Sequence, residues 1–542
     1  MSEPEHLRSA LRDAGHDQIV YDLTGIERQY DTLRAELPDI EVRFAMKACP
    51  VDEVLACLAD RGAGFDAASP GEIRQALRTG VAPQRVHYGN TVKSDAEIAA
   101  AHQHGITTFA TDSAEDVRAV ARHAPGARVY CRLTTSGTGA VWGLTGKFGA
   151  TDPAAVLEEA RRLGLVPAGL SLHAGSQQMT VAGWREALDG LATAVLGLLK
   201  RGIHVDRLNL GGGLPAHGYL NRDGSPMTPP TAGIFAAIRD GVDRLRELAG
   251  DSLGFVIEPG RYLVADHGVI RAHVARLTKR PQPWLYLSCG RFNGLYEADQ
   301  LRYRLEFPTR RGGRTVPAVV AGPTCDSDDT FGGAAVPVPA ALASGDPVWI
   351  HSAGAYTVGY ATQGFNGFAP LPCVAVRAER LRSIRPGDWP GITALETEAY
   401  GGIGLSESRA VLESRARVSP STSFVLEVGG RVGGYLLALP YPRFQFPDPA
   451  RAEEAAHHSS NLHLHDIVVG GSLRGRGWAR RMVRHLTNAA RSSRFDRISL
   501  VAVGGTTGFW SAHGFRPQPG VAVPAGYGPG AVYMSRSITA NK

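Results

Sequence analysis

The stretch RFAMKACP, residues 43–50, decides how the first half of this chain folds: an apolar, strand-like run ends on Lys47 and passes into small residues. A lysine in that place is either a solvated strand end or an amine kept for chemistry. Of 58 basic residues only six are lysines (Lys47, Lys93, Lys147, Lys200, Lys279 and Lys542), so arginine is the ordinary cation here. Arginine keeps its proton in practice, whereas a desolvated lysine can lose it and act as a nucleophile.

Working outward from Lys47, EVRFAM (41–46) is the first of eight short apolar runs. The others are GAGFDAA, RVHYG, ITTFAT, ARVYCRL, VPAGLSLHAG, VDRLNLGGG and GFVIEPG, ending at Gly260. Segments such as SPGEIRQALRTG and SDAEIAAAHQHG fall between them. Each opens on a serine N-cap with acidic first-turn residues and closes on glycine, as helix ends do. Eight βα units in about 220 residues predict a (β/α)₈ TIM-type barrel, with a doubly wound sheet as the rival.

The barrel is expected over 1–265, with the option that the N-terminal segment joins a following β-domain over 266–380, where shorter β-rich runs such as WLYLSCG and DPVWIHSAGAYT take over. RSIRPGDWP reads as a linker. Residues 381–542 form a third, α/β domain in which a hairpin (TSFVLEVGGRVGGYLLALP) precedes two strand-to-helix passages.

Bulk properties narrow the function. The net charge of +6 is small for 542 residues and no block of like charge occurs, so a small-molecule substrate is favoured over nucleic acid. The N-terminus lacks the apolar core of a signal peptide and no apolar run is long enough to span a bilayer, so a cytoplasmic protein is expected. Six cysteines without CxxC pairs argue against a zinc site and a disulfide framework.

In a β/α barrel the chemistry gathers at the C-terminal ends of the strands. There stand Lys47, Asp66, Arg132, His173 with Ser176, the triplet Gly211, Gly212 and Gly213, and Glu258 with Arg261. The triplet with Arg261 suits a phosphate, since glycine lets backbone N–H groups approach an anion. A lysine amine, a phosphate cradle and a carboxylate for a pyridine nitrogen are the parts that a pyridoxal 5′-phosphate site requires. His173 could stack on the ring, or be a satisfied core histidine.

FAMKAC, GFDAAS, LHAGSQ, the glycine triplet, EPGRY, GPTCDSDD and GAYT, in that order over residues 1 to about 380, resemble the fold-type III pyridoxal phosphate decarboxylases of ornithine, lysine, diaminopimelate and arginine. The resemblance implies Lys47 as the lysine that binds the cofactor aldehyde, Glu258 as partner of the pyridine nitrogen and His173 as the stacking residue. Ser176, Gly211 to Gly213, Arg261 and Tyr356 would contact phosphate. Cys325 would protonate the carbanion after CO₂ leaves, and Asp326 would contact the substrate's distal amine.

It also implies a homodimer in which one chain lends CDSDD to the other's site. Asp326 and Asp329 are sensible counter-charges for a terminal ammonium. The LSCGRFNG segment departs from the ornithine enzymes by placing Cys289, Gly290 and Arg291 where an aspartate often stands, which admits a modified or diaminopimelate-like substrate. A racemase is disfavoured by Glu258, and a regulatory protein that has lost catalysis by the retention of Lys47, Glu258 and Cys325.

HDIVVGGSLRGRGWARRMV, with ISLVAVGGTTGFWSAHGF after it, resembles the GNAT acetyltransferases. The resemblance implies that backbone amides of Arg474, Gly475, Arg476, Gly477, Trp478 and Ala479 cradle the pyrophosphate of acetyl-CoA and that Ile467, Val468 and Val469 line its thioester. Trp510 stands where the family often has a proton-donating tyrosine and cannot replace it. Asp466, His465 and His463 are the candidate bases. A domain that binds CoA or amine without turnover is the rival.

Overall fold

The computed structural model describes residues 3–538 except 145, 311 and 476, and leaves the side chains of 403 and 525 undescribed. It separates into two units, Met1–Arg377 and Ala378–Lys542.

In the first unit, among the described residues, eight parallel strands close into a barrel. They are Ile40–Ala45, Gly64–Ala67, Val86–Tyr88, Thr108–Thr111, Arg128–Arg132, Val166–Ser171, Arg207–Asn209 and Gly254–Ile257. Closure pairs the last strand with the first, Phe255 opposite Ile40. Each strand coincides with one of the eight apolar runs, the first starting one residue ahead of EVRFAM, and because they close into a barrel the doubly wound rival is set aside.

The runs are nearly continuous in apolar residues because both faces are covered, by barrel interior on one side and helices on the other. Phe44, Phe65 and Phe109 are fully buried; each such side chain contributes roughly 1.5–3 kcal/mol by leaving water. The helices begin where their caps say. Ser69 accepts from the Glu72 amide ahead of Pro70–Arg78, and Ser94 with Glu97 forms a reciprocal capping box on Asp95–Gln103.

The N-terminal strand Gln18–Asp22 does not enter the barrel. It lies antiparallel to Gly268–Leu277 and parallel to Cys373–Val376, so chain segments on both sides of the barrel build one β-rich layer. Thr315–Ala321 and Pro347–Ile350 belong to the same sheet.

The second unit is built, among the described residues, on a seven-stranded sheet. Period-two alternation assigns its faces. Phe424, Leu426, Leu436 and Ala438 pack with Trp478, Met482 and Leu486 of helix Trp478–Ser492. Val425, Tyr435 and Leu437 pack with Ile392 and Leu412 of helices Trp389–Tyr400 and Arg409–Val418. RSIRPGDWP is not a linker: its first residues complete the edge strand Glu379–Ser383, paired with Phe424–Val428, and its tryptophan starts a helix. Among the described residues no helix is long and apolar enough to cross a membrane.

Candidate active sites

At the C-terminal mouth of the barrel, Lys47 sits in a short 3₁₀ turn, Met46–Ala48, directly after the first strand. Two adjoining cavities share Lys47, Asp66, His173 and Glu258 as walls. One continues to Arg132 and His87, the other to Ser176, Gly212, Gly213, Arg261 and Tyr356. The residues expected from six separate strands therefore converge on one place.

The charges there are interlocked. Burial would lower the pKa of Lys47, but Asp66, Tyr356 and Glu258 outweigh it and hold the amine above its ordinary value, as an ammonium. Asp66 is pulled below the usual carboxylate value despite its burial, chiefly by His87 and then Lys47 and Arg132. His87 is raised against its burial by Glu258 and Asp66. Burial, reinforced by Lys47 and Arg132, lowers His173 to about 3, so its ring is neutral and fit to lie against an aromatic face.

His87 was not singled out by sequence: it sits inside an apolar run, where a core histidine is the ordinary reading. Its Nε2 stands 2.7 Å from Glu258 Oε1 and 3.2 Å from Asp66 Oδ1. Asn209, on the seventh strand, donates its amide to the same Glu258 oxygen.

The phosphate end is shaped by absence of side chains. Gly211 and Gly213 have φ of +61° and +124°. A Cβ on Gly211 would strike the Leu172 carbonyl, one on Gly212 would come within 3.0 Å of His173 Nε2 and Glu258 O, and one on Gly213 within 2.7 Å of Gly175 O. Arg261, 4% exposed, lies between the Trp142 and Tyr356 rings at 4.6 Å from each. It makes a two-pronged pair with buried Glu297 at 2.7 and 2.8 Å and donates to Ser176 Oγ at 3.2 Å, while its Nε has no partner. A glycine cradle, an arginine with a spare buried donor, a lysine amine and a supported carboxylate fit pyridoxal phosphate. Glu297 was also missed, lying in a region without strand periodicity.

Cys325, Asp326 and Asp329 do not line these cavities. Cys325 is exposed, with its thiol 3.2 Å from Asn366 Oδ1. Asp326 is exposed. Asp329 differs from its expected part as a counter-charge: it is 2% exposed and accepts from the Arg291 amide at 2.7 Å and from Thr324 N and Oγ1 at 3.0 and 2.7 Å. Its carboxylate fills the space that a Cβ on Gly290 or Gly322 would need, so it ties CDSDD to SCGRFNG. Asp326 is left as the acid open to a ligand.

In the second unit a cavity of about 560 Å³ is lined by Ile467, Val468, Val469, Arg474, Ala479 and Trp510, and also by Glu396, Tyr400, Glu407, His465 and Asp466. The ladder between Asn461–Val469 and Arg497–Ala502 stops at Leu464 opposite Leu500, so the two strands part where the cavity opens. Gly475 and Gly477 have φ of +75° and +77° and deliver the chain to the start of helix Trp478–Ser492, whose first N–H groups have no partner within the helix. The Trp478 side chain is buried in the core. Arg476 lies outside the described residues.

Strand alternation would put His465 and Asp466 on opposite faces, but the register shifts between Leu437–Asp466 and Ala438–Leu464. His465 is the extra residue of that bulge, and both side chains reach the cavity. His463 does not: it is buried against Ser499 Oγ at 3.0 Å. Trp510 packs on Phe509 and Phe515, with only an indole N–H to offer. Glu396 and Tyr400 come from helix Trp389–Tyr400 and Glu407 from the loop that follows it, between the edge strand Glu379–Ser383 and Phe424–Val428, and they were not anticipated.

A closed barrel with this site, joined to a β-rich layer, defines a pyridoxal phosphate enzyme class, and comparison with known proteins agrees. Residues 23–265 match the family model for the pyridoxal-binding domain of pyridoxal-dependent decarboxylases, and 389–515 match the acetyltransferase (GNAT) family. The chain is 30% identical over 383 residues to an ornithine decarboxylase of Schizosaccharomyces pombe, covering 67% of this chain and 84% of the relative. It is 31% identical over 363 residues to a lysine/ornithine decarboxylase of Selenomonas ruminantium, covering 66% and 88%. A solved lysine decarboxylase from Selenomonas ruminantium superposes with a TM-score of 0.62 at 28% identity, over 69% of this chain and 96% of the other. The chain belongs to the pyridoxal-dependent decarboxylase family and carries a C-terminal GNAT domain.

Proposed function

We propose that the first unit decarboxylates a basic amino acid of the ornithine or lysine kind to a diamine, and that the second transfers an acetyl group from acetyl-CoA to an amine. The observation that carries the first half is the convergence of Lys47, His173 and Glu258 opposite the glycine cradle and Arg261. Pyridoxal phosphate bound there supplies an aldehyde for the substrate amine and an electron sink for the pair left by departing CO₂. Lys47 anchors the aldehyde end. Arg261 and the backbone of Gly211 to Gly213 hold the phosphate, and Glu258, fixed by Asn209 and His87, keeps a proton on the ring nitrogen. Neutral His173 closes one face against water.

Cys325 carries the proton delivered to the substrate carbon, and Asp326 meets the distal ammonium. Both are exposed and stand outside the cavities around Lys47 in their own chain, which supports a homodimer whose active sites are shared. In the second unit the loop of Arg474 to Ala479 takes the pyrophosphate and Ile467 to Val469 the thioester arm; the opened ladder beside them supports this.

The experiment is mass spectrometry of products from the cofactor-loaded protein given ornithine, lysine, arginine and diaminopimelate, with and without acetyl-CoA. A diamine without acetyl-CoA and an acetylated amine with it support both halves. A decarboxylated product that stays unacetylated leaves only the first.

A further inference from the structure

The acidic wall of the C-terminal cavity differs in chemistry from the apolar wall made by Ile467, Val468 and Val469. Three acids gather there. Glu396, 2% exposed, accepts from the Ser406 hydroxyl and the Glu407 amide. Asp466 accepts from Tyr400 at 2.6 Å and from Tyr435. Glu407 accepts from His465 Nε2 at 2.9 Å and is paired with Arg415, which is fully buried. Arg415 pairs with only one of these three carboxyl groups, and Arg474 is the one arginine among the described residues of the lining, so acids outnumber bases there and the cavity suits a cation over an anion.

A second, independent observation points to a ligand with N–H groups. The His465 side chain is only 5% exposed, and its Nδ1 has no hydrogen-bond partner. In the tautomer that gives its Nε2 proton to the Glu407 carboxylate, Nδ1 is a lone-pair acceptor. Burial and Arg415 lower this imidazole to about 3, so the nitrogen stays an acceptor at neutral pH. An unmet buried acceptor costs about 1–3 kcal/mol, which a donor from a ligand would offset.

We infer that this acidic wall of the cavity seats the acceptor of the acetyl group, that the acceptor is a primary amine arriving as a cation without a nearby anionic group, and that the His465–Glu407 pair removes its proton. This rests on the acetyltransferase reading above and deepens it. One ammonium proton passes to His465 Nδ1 as the Nε2 proton passes to Glu407. The freed amine then forms a bond to the thioester carbonyl carbon, the C–S bond breaks with its electron pair on sulfur, and the nitrogen's second proton ends on that sulfur as free CoA. Glu407 then gives its proton back to His465 Nε2 as Nδ1 releases the proton taken from the amine to solvent, which restores both the carboxylate and the starting tautomer.

The relay is tuned near neutrality. Burial raises Glu407 to about 7 against the pull of Arg415, with Asp448 adding to the rise. The other ionisable groups on this cluster, among the described residues, are His465, Asp466, Glu396, Tyr400 and Tyr435, and Arg474 and Tyr527 also line the cavity. Below that value Glu407 is protonated and cannot accept.

The test uses the full chain. Acetyl-CoA binding is followed by titration calorimetry and CoA release against pH, with cadaverine and an ω-amino acid of the same length as acceptors. Glu407→Gln and His465→Ala are expected to bind acetyl-CoA as the parent does, which also reports that they fold, to lose about 10²-fold or more in kcat, and to lose the acidic limb of the profile. The ω-amino acid is expected to be at least about tenfold poorer in kcat/KM, a difference of about 1.4 kcal/mol. Transfer at the parent rate and pH profile by both variants, or equal use of the two acceptors, overturns the inference while the acetyltransferase reading stands. No binding of acetyl-CoA by the parent protein overturns both.

Discussion

His87 Nε2 stands 2.7 Å from Glu258 Oε1, and so a histidine on the third barrel strand braces the carboxylate that ends the eighth. The same nitrogen is 3.2 Å from Asp66, and donor atoms of the three side chains all lie within 4.8 Å of one another. Replacing His87 by leucine leaves buried Asp66 and partly buried Glu258 facing each other without the cation between them. His87→Leu is expected to weaken cofactor binding and to lower kcat by about tenfold or more, because unpairing a buried charge costs about 3–5 kcal/mol. Titration with pyridoxal phosphate and steady-state kinetics read the two effects separately.

The same cluster sets a pH window for stability. The folded pKa of His87 is raised above 6.5, so as pH rises the unfolded chain releases this proton first. The stabilisation is complete below 6.5 and is lost as pH climbs through the folded value. The folded pKa of Asp66 is depressed below 3.8. Its contribution is complete above 3.8 and is lost as pH falls through the folded value. Equilibrium denaturation of the cofactor-free protein across pH is expected to show both limbs, with the alkaline one flattened in His87→Gln.

Arg261 and Glu297 form a buried two-pronged pair. Glu297→Ala strands the guanidinium with only Ser176 and Tyr219 as polar partners and is expected to cost about 3–5 kcal/mol. Thermal unfolding should show a lowered midpoint that pyridoxal phosphate partly restores, since a ligand bound only by the native state stabilises it.

Gly212 offers a narrower probe of the phosphate end. Gly212→Ala adds one methyl group within 3.0 Å of His173 Nε2 and the Glu258 carbonyl. Cofactor affinity is expected to fall about tenfold or more, about 1.4 kcal/mol, with little change in unfolding midpoint without cofactor. Fluorescence titration measures the first and thermal unfolding the second.

The barrel was legible because strand alternation with capped helices is a local signal, and its site was legible because strand ends coincide with Lys47, His173 and Glu258. What stayed hidden depends on contacts between distant segments. His87 looks like a core residue until Glu258 is brought beside it. RSIRPGDWP looks like a linker because its start becomes a strand only by pairing with residues 424–428. Asp329 looks like a free acid until Thr324 and Arg291 close on it. The bulge at His465 is a mismatch between two strands, and neither strand alone records it. Glu396 and Glu407 reach the cavity from the helix and loop between the first two strands of the sheet.

The central claim is that Lys47 anchors a cofactor with which this chain decarboxylates a basic amino acid. It is tested most directly by CO₂ release from ornithine, lysine, arginine and diaminopimelate, comparing the pyridoxal phosphate-loaded protein with Lys47→Ala. The account predicts release from at least one of these by the parent and a loss of at least about 10³-fold in the variant, roughly 4 kcal/mol of transition-state stabilisation. No release from any of them by the loaded parent, or equal release by Lys47→Ala, would contradict it.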